Sequence, residues 1–236
     1  MRLRVLPGPA EVARAAADQL ARAVAARAEG PLGLPTGRTA LPLYDELAAR
    51  HTRGTLDLSR TRGFNLDELV LPRDDARSFH AFMRRHAWGR TGLDPQRCEI
   101  PDGMASDLER ECRRYDAALD AAGGLDVALL GVGRDGHVAY NLPSALPART
   151  HIVQLPAEVA EALEVPERAR PLRAVTMGLG TLREARTIIL MATGPSKAEA
   201  VRALVRGRQD PQWPCSLLQA HPELEVIVDR EAAGCL

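Results

Sequence analysis

The sequence has few aromatic residues, no excess of charge of either sign and no long apolar run. Aromatic residues make up 3% of the 236 residues, too few for the stacking platforms of single-stranded nucleic-acid binders. The formal net charge is zero, so no long-range field attracts nucleic acid or an anionic membrane. No apolar run is long enough to cross a bilayer, and the N-terminal stretch does not read as a signal segment. We therefore expect a cytoplasmic protein that binds neither nucleic acid nor membranes.

Cysteine is sparse and scattered. The four residues Cys98, Cys112, Cys215 and Cys235 show no Cys-x-x-Cys spacing, which argues against a zinc knuckle or a redox pair. We expect reduced thiols and no metal site.

Lysine is almost absent. The 31 basic residues include one lysine, Lys197. Such a bias reflects the coding composition of a genome, in which arginine replaces lysine wherever either residue serves. The remaining lysine either survives by chance or does something that arginine cannot, because a compact ammonium differs from a planar guanidinium. Composition alone leaves both explanations open.

Helical and strand patterns alternate along the whole chain. AEVARAAADQLARAVAARA has the three-to-four periodicity of a helix, and LDVALLGV is a continuous apolar strand of the kind that is buried on both faces. Further strands are predicted at PLGLP, THIVQL, LRAVTMG, RTIILMAT and LEVIVD. This alternation predicts an α/β protein, a three-layer αβα arrangement with a mainly parallel, Rossmann-like sheet. We assign residues 1–236 to one domain and expect its ligand beyond the carboxyl ends of the strands.

The stretch GVGRDGHVAYNLP, residues 131–143, contains a Gly-x-Gly-x-x-Gly pattern directly after an apolar strand. A dinucleotide fingerprint must open a helix, so that the pyrophosphate meets the helix N-terminus. Here Pro143 and Pro147 follow soon after, and the intervening residues have no helical period. The context excludes nicotinamide or flavin binding.

Two strand ends carry candidate polar residues. In LPTGRTALPLYDEL, a glycine-containing turn joins a strand to a helix, and its free N–H groups with Thr36 and Thr39 form a candidate anion site. The alternative is a simple helix N-cap at Thr39. In FNLDEL, the adjacent carboxylates of Asp67 and Glu68 are either a helix-starting acidic pair or include a general base.

Two later segments carry a histidine and the only lysine. Asp135 stands two residues before His137, close enough for a folded-back turn to pair them and fix the imidazole tautomer. The alternative is a surface turn, since Asp-Gly is a strong turn signal. Lys197 falls in the first turn of a predicted helix, where a cation opposes the helix dipole unless an anion is bound. We therefore interpret Lys197 as a phosphate ligand.

Together these segments resemble the glucosamine-6-phosphate deaminase (isomerase) family, which is related to the 6-phosphogluconolactonases. The likeness extends from about Ala10 to Asp229 and comprises GLPTGRTALPLYDEL, FNLDELVLPRDDARSFHAFM, GGLDVALLGVGRDGHVAYNLP, RTHIVQL, AVTMGLGTLREARTIILMATGPSKAEAV and SLLQAHPELEVIVD. The start of FNLDEL and the SFHAFM helix are typical of the deaminase branch. The resemblance implies the deaminase/phosphogluconolactonase superfamily fold, with a short lid around residues 156–173.

The resemblance also implies a reaction, in which glucosamine 6-phosphate and water give fructose 6-phosphate and ammonia. It implies that His137, oriented by Asp135, opens the pyranose ring, and that Asp67 moves a proton between C2 and C1. Proton transfer of this kind needs no metal or organic cofactor. The residues expected to bind the phosphate are Thr36, Gly37, Arg38, Thr39 and Lys197. The resemblance leaves the oligomeric state open, a homo-oligomer included.

The sequence departs from the family pattern at three places. Leu142 stands where the family has a glutamate that joins the ring-opening group, and leucine can neither accept a hydrogen bond nor carry charge. The lid lacks the arginine that reaches the phosphate, and its candidate replacements are Arg168, Arg170 and Arg173. Arg38 replaces a small residue and either supplies the missing cation or crowds the pocket.

Three functions remain, ranked in this order. The first is an aminosugar-phosphate deaminase or isomerase that works without the glutamate. The second is a 6-phosphogluconolactonase-like hydrolase with His137 as the base, which Leu142 fits better and FNLDEL fits worse. The third is a catalytically silent sugar-phosphate-binding protein. Each predicts a small sugar phosphate as the ligand.

Overall fold

The computed structural model of the protein describes residues 1–143 and 146–236. Its strands are β1 (Arg2–Leu6), β2 (Leu32–Leu34), β3 (Gly63–Asn65), β4 (Asp67–Leu69), β5 (Cys98–Glu99), β6 (Val127–Leu130), β7 (His151–Gln154), β8 (Arg173–Thr176), β9 (Thr187–Ala192) and β10 (Leu224–Asp229). Seven of them form one parallel sheet in the order β1-β10-β9-β6-β2-β3-β5. The other three form a small antiparallel sheet in the order β4-β8-β7.

Helices connect the strands and cover the parallel sheet. They are α1 (Pro9–Ala26), α2 (Leu41–Thr52), α3 (Phe79–His86), α4 (Leu108–Ala121), α5 (Ala157–Ala162), α6 (Leu179–Arg183) and α7 (Ala198–Arg206). Short 3₁₀ helices lie at Pro95–Arg97, Glu167–Ala169, Pro195–Lys197 and Pro214–Leu218. Among the described residues, no helix is both long enough and apolar enough to span a bilayer.

Alternate residues of the central strands face two separate hydrophobic layers. Along β6, Val127 and Leu129 pack in the layer formed by α1, α2 and α3. Ala128 and Leu130 pack in the layer formed by α4, α6 and α7. Because both faces of the strand are buried, every position along it is apolar. This confirms the three-layer αβα fold with a mainly parallel sheet.

The direction in which successive strands are added to the sheet reverses between β2 and β6. From β2 the sheet continues through β3 to β5, and β6 then pairs with the other side of β2 before β9 and β10 extend it. In a doubly wound sheet the crevice for a ligand lies beyond the carboxyl ends of the strands at such a point. Four strands are adjacent in the sheet, in the order β3, β2, β6 and β9. The loops that follow them are therefore neighbours.

Several elements differ from the sequence-based expectation. The edge strands β1 and β5 were not predicted; Leu3 and Val5 of β1 remain 39% and 47% exposed, so the strand shows no buried face. β7 and β8 are strands as predicted, but they pair with β4 outside the parallel sheet. The expected lid, residues 156–173, contains α5 and lies on a small apolar cluster with Leu69 of β4. The one-domain assignment stays a prediction.

Candidate active site

The turn after β2 presents backbone groups at the carboxyl edge of the sheet. Gly37 has φ of 93°, a conformation that favours glycine, and its carbonyl accepts a hydrogen bond from the Ala40 N–H at 3.1 Å. The N-cap of α2 is Ala40, with no side-chain cap bond, so the alternative of a cap at Thr39 is wrong. In the described part of the chain, the hydroxyls of Thr36 and Thr39 make no hydrogen bond, and Arg38 is exposed. Within the described residues, the two hydroxyls of this turn are therefore unpaired.

Asp67 is a buried carboxyl without a hydrogen-bond partner among the described residues. It begins β4, pairs in register with Thr176 of β8 and is 6% exposed. Burial raises the pKa of Asp67 to about 8, and the neighbouring Glu68 carboxylate adds to the rise. A carboxyl in this state can hold or release a proton near neutral pH.

Glu68 has a different environment from its neighbour. Its carboxylate accepts hydrogen bonds from the N–H groups of Leu69, Phe79 and His80 at 2.7, 2.8 and 2.8 Å. Burial raises its pKa to about 7, although these N–H donors oppose the rise. Because the last two belong to the first turn of α3, Glu68 fixes that helix to β4. The acidic pair therefore divides into one helix-anchoring carboxylate and one free carboxyl.

His137 and Asp135 are paired in the loop after β6. The His137 Nδ1 lies 2.7 Å from Asp135 Oδ1, and the His137 N–H donates to the same oxygen at 3.3 Å. The close contact with His137 lowers the pKa of Asp135 to about 2. The carboxylate is thus ionised at neutral pH and orients the ring, with Nε2 as the remaining nitrogen. The segment at Arg134 and Asp135 is also an exposed turn, so the turn and the pairing occur together.

Two glycines make that loop possible. A Cβ on Gly133 would collide with the His137 ring and the Asp135 carboxylate. Gly136 has φ of 82°, and its carbonyl accepts a hydrogen bond from the N–H of Cys215 at 2.8 Å. The glycines therefore shape a loop that presents His137. The nearby helix N-terminus belongs to α7 and not to this loop.

Tyr140 connects the His137 loop to Asp67. Its N–H donates to Thr176 Oγ1 at 3.0 Å, and Thr176 is the residue paired with Asp67. Its ring centroid lies 6.2 Å from that of His137 and 6.1 Å from that of Phe79, in a stacked arrangement. Burial, together with the charge of Asp67, raises the pKa of Tyr140. Tyr140 thus contacts both the His137 ring and the residue that pairs with Asp67.

Lys197 lies among cations at the end of β9. It is half-buried and precedes α7 directly, at its N-cap. Burial lowers its pKa, and the positive charges of Arg134 and Arg38 lower it further, whereas Asp135 opposes the shift. No carboxylate lies within ion-pair distance of Lys197 in residues 1–143 and 146–236. Three cations near a helix N-terminus and a glycine turn constitute an anion-binding environment.

Arg134 was not anticipated as part of this group. It follows β6, whereas Arg38 follows β2 and Lys197 follows β9, and these strands are adjacent only in the folded sheet. The sequence signal that could have found it is its position between the strand and Asp135.

The lid arginines have other partners. Arg170 donates to the Val165 carbonyl at 2.9 Å, Arg168 acts electrostatically on Asp75, and Arg173 is an exposed residue of β8. Leu142 is half-buried. Within the described residues, no group of three or more His, Cys, Asp or Glu side chains is arranged to hold a metal ion.

Comparison with known proteins gives matches along the chain. A family model described as glucosamine-6-phosphate isomerases/6-phosphogluconolactonase matches residues 9–227. The glucosamine-6-phosphate deaminase of Halothermothrix orenii is 38% identical over 242 residues and covers 100% of both chains. That of Pseudarthrobacter chlorophenolicus is 41% identical over 246 residues, covering 100% of this chain and 93% of the relative. A solved structure of a monomeric glucosamine-6-phosphate deaminase has a TM-score of 0.93 at 36% identity and 100% coverage of both chains.

Proposed function

The chain belongs to the family of glucosamine-6-phosphate isomerases and 6-phosphogluconolactonases, and we propose that it is itself a glucosamine-6-phosphate deaminase. In this proposal it converts glucosamine 6-phosphate and water to fructose 6-phosphate and ammonia. Support comes from relatives with that name that match over the full chain. The atoms of the site favour the same reaction, as argued below.

The observation that carries the proposal is the buried carboxyl of Asp67. An isomerisation at C2 and C1 requires one group that takes a proton from carbon and returns it to the neighbouring carbon. Asp67 has a pKa of about 8 and no hydrogen-bond partner in the described structure, so both of its protonation states are accessible near neutral pH. As carboxylate it removes the C2 proton, and as carboxylic acid it returns that proton to C1.

Ring opening precedes this step and is assigned to His137. The sugar must open because only the open chain has a carbonyl that acidifies the C2 proton. Asp135 holds the His137 ring at 2.7 Å and stays ionised at neutral pH because its pKa is about 2. His137 therefore moves a proton between the ring oxygen and the anomeric hydroxyl. Return of the proton to C1 leaves an iminium carbon at C2; water adds to this carbon, and the amine leaves as ammonia to give the C2 ketone of fructose 6-phosphate.

The phosphate of the substrate is assigned to the turn after β2 and to Lys197. N–H groups of the turn, the hydroxyls of Thr36 and Thr39 and the Arg38 guanidinium are donors for phosphate oxygens. A bound dianion would offset the repulsion of Lys197 by Arg134 and Arg38, which lowers the pKa of Lys197. Cations and anion thus stabilise one another.

Leu142 favours a second candidate, a 6-phosphogluconolactonase-like hydrolase. Lactone hydrolysis needs the phosphate site and His137 as a base for water, and it has no step that requires the family's glutamate. Asp67 would then have no proton to move. A sugar-phosphate binder without turnover is the third candidate, and the experiment below separates all three.

The test measures ammonia and fructose 6-phosphate released from glucosamine 6-phosphate by the purified protein. We expect Asp67→Asn to lose about 1,000-fold or more in kcat and to retain sugar-phosphate binding. The control Asp45→Asn removes an exposed carboxylate that is 66% accessible and should retain full activity. Leu142→Glu should preserve or raise turnover, because it restores a proton-accepting group next to Asn141.

Three results would contradict the deaminase. Full activity of Asp67→Asn would show that turnover does not need the residue to which the proton transfer is assigned. Hydrolysis of 6-phosphogluconolactone above the spontaneous rate, lost in His137→Ala and without ammonia release from the aminosugar, would establish the lactonase. Saturable heat of sugar-phosphate binding with neither product would establish the silent binder.

We also propose that the enzyme acts in the cytoplasm. The proposal rests on its four free cysteines and on a phosphorylated metabolite as substrate. Fractionation of cells that express the protein tests this location directly.

A further inference from the structure

A basic cavity lies at the opposite edge of the parallel sheet from the candidate active site. It is an open surface cavity of about 490 Å³, and its charged lining consists of Arg27, Glu29, Arg60, Arg62 and Arg97. These residues directly precede β2, β3 and β5, whereas the turn after β2 and Lys197 follow the strands. An adjoining cavity of about 300 Å³ shares Arg62 and Arg97 with the first.

Positive charge in this cavity exceeds negative charge. Arg60 is paired with Glu29 at 2.5 Å, and Arg27 is paired with Asp126 at 3.0 Å. In the part of the chain that the structure describes, neither Arg62 nor Arg97 has a carboxylate within 4 Å. The two arginines that both cavities share are therefore the two without an ion pair; Glu99, which also lines the adjoining cavity, is paired with Arg114.

Arg62 is held in place without an ion pair. It is half-buried, and its guanidinium lies 5.5 Å from the centre of the Phe64 ring. The carbonyl of Arg62 accepts a hydrogen bond from the Leu32 N–H at 2.8 Å, which fixes its backbone between β2 and β3. Partial burial of a cation without an anion costs free energy, so a bound anion would stabilise this arrangement.

Arg97 is fixed in a similar way from the other side. Its Nη2 donates to the Arg60 carbonyl at 2.7 Å, which leaves the remaining N–H groups of the guanidinium for another acceptor. The hydrogen bond and the charge of Arg60 lower the pKa of Glu29, and the charge of Arg97 lowers it further, consistent with the convergence of both arginines on this cavity. The rest of the wall includes small residues such as Gly30 and Ala121, which leave space for a ligand.

We propose that this cavity binds a small phosphorylated molecule with at least two negative charges, with a phosphoryl group between Arg62 and Arg97. Planar guanidinium groups bind phosphoryl oxygens in a bidentate geometry that lysine cannot reproduce. The volume lies in the range of small-molecule sites. This site is separate from the proposed substrate site, because the two lie at opposite ends of the same strands.

The test is calorimetric titration of the full chain with inorganic pyrophosphate at constant ionic strength. The chain carries Arg38→Ala, Arg134→Ala and Lys197→Ala, which remove the three cations of the candidate active site. We expect saturable binding of one pyrophosphate, weakened about tenfold or more by Arg62→Ala or by Arg97→Ala. Arg62→Lys should weaken pyrophosphate binding less than Arg62→Ala does, because lysine keeps the positive charge although it lacks the planar guanidinium.

The matched control is Arg113→Ala, which removes an exposed arginine of α4 that lines neither cavity. It should change the affinity less than about twofold, since loss of a distant surface charge is screened by salt. Arg97 is exposed, so Arg97→Ala should fold even if Arg62→Ala does not, and thermal melts check both. Absence of saturable heat in the starting chain would overturn the proposal, and so would an equal loss of affinity in Arg97→Ala and Arg113→Ala.

Discussion

Glu68 anchors the first turn of α3, while Asp67, its neighbour in the chain, remains without a hydrogen-bond partner among the described residues. Glu68 accepts hydrogen bonds from the N–H groups of Phe79 and His80, each at 2.8 Å. Because consecutive residues of a strand point to opposite sides, the same short segment supplies a structural carboxylate and a free carboxyl. Two groups of the same chemical type can thereby be tested separately.

Glu68→Gln should destabilise the fold. The oxygen of the glutamine amide can still accept the two bonds that Glu68 Oε1 accepts from Leu69 and Phe79. Its NH₂ group, however, faces the His80 N–H, and because both groups are donors, the third hydrogen bond is lost. We expect a loss of about 1–3 kcal/mol in the free energy of unfolding, measured by urea denaturation at pH 5, where the folded Glu68, with a pKa of about 7, is protonated and its hydroxyl oxygen can still accept from the His80 N–H. Glu167→Gln is the control, since that side chain is 92% exposed, and it should change stability by less than about 0.5 kcal/mol. Equal stability of the two variants would contradict the anchoring function.

Asp67→Asn should stabilise the fold, most strongly at alkaline pH. The folded-state pKa of Asp67, about 8, lies above the unfolded value, so ionisation opposes folding. The contribution of this carboxyl to stability is complete below about pH 4 and is lost as the pH rises through about 8. The neutral amide does not ionise, and we expect a gain of about 2–5 kcal/mol at pH 8 and much less at pH 4.

Urea denaturation of the wild type and of Asp67→Asn at both pH values measures this difference. Asp45→Asn, which changes an exposed carboxylate, controls for the loss of charge. A gain that is the same at both pH values would show that the Asp67 carboxyl is not held protonated by burial. Greater stability combined with lost turnover is the expected signature of a functional buried acid.

Gly133→Ala should inactivate the enzyme without unfolding it. The added Cβ would collide with the His137 ring and the Asp135 carboxylate, so the pair must separate or rotate. We expect kcat to fall about 100-fold or more, since displacement of a catalytic group by about 1 Å has effects of this size. Gly131→Ala, two residues earlier, is the control because its Cβ would meet nothing within 4 Å. Similar activity of the two variants would contradict a requirement for the present geometry of Asp135 and His137.

The central strands and the strand-end motifs could be predicted because their signals are local. The apolar run of β6, the glycine turn at residues 36–39 and the Asp135–His137 spacing are each contained in a few consecutive residues. The edge strands β1 and β5 could not be predicted in this way, because Leu3 and Val5 are exposed and β5 has two residues. Short, half-exposed strands form only when a neighbouring strand supplies their hydrogen bonds.

The division of labour at the site depends on tertiary contacts. The position of α3 decides whether Asp67 or Glu68 is the free carboxyl. The contact between Glu68 and Phe79 joins residues that are distant in the sequence, so a local pattern does not predict it. In the same way, Arg134 approaches Lys197 only because β6 and β9 pair in the sheet. Local sequence patterns place Arg134 at the end of a strand, but they indicate neither its approach to Lys197 nor the docking of α3 on Glu68.

Arg134→Ala should weaken binding of the sugar phosphate without slowing the chemical steps. Arg134 is exposed, and its charge acts on Lys197, so it is positioned for the phosphate rather than for the reacting carbons. A charge-assisted hydrogen bond contributes about 1.5–3 kcal/mol, which corresponds to a KM increase of about 10- to 100-fold with kcat nearly unchanged. Inhibition by inorganic phosphate should weaken in parallel, whereas Arg113→Ala should leave both quantities as in the wild type. A fall in kcat at constant KM would instead place Arg134 in the proton-transfer steps, where its charge would act through the adjacent Asp135.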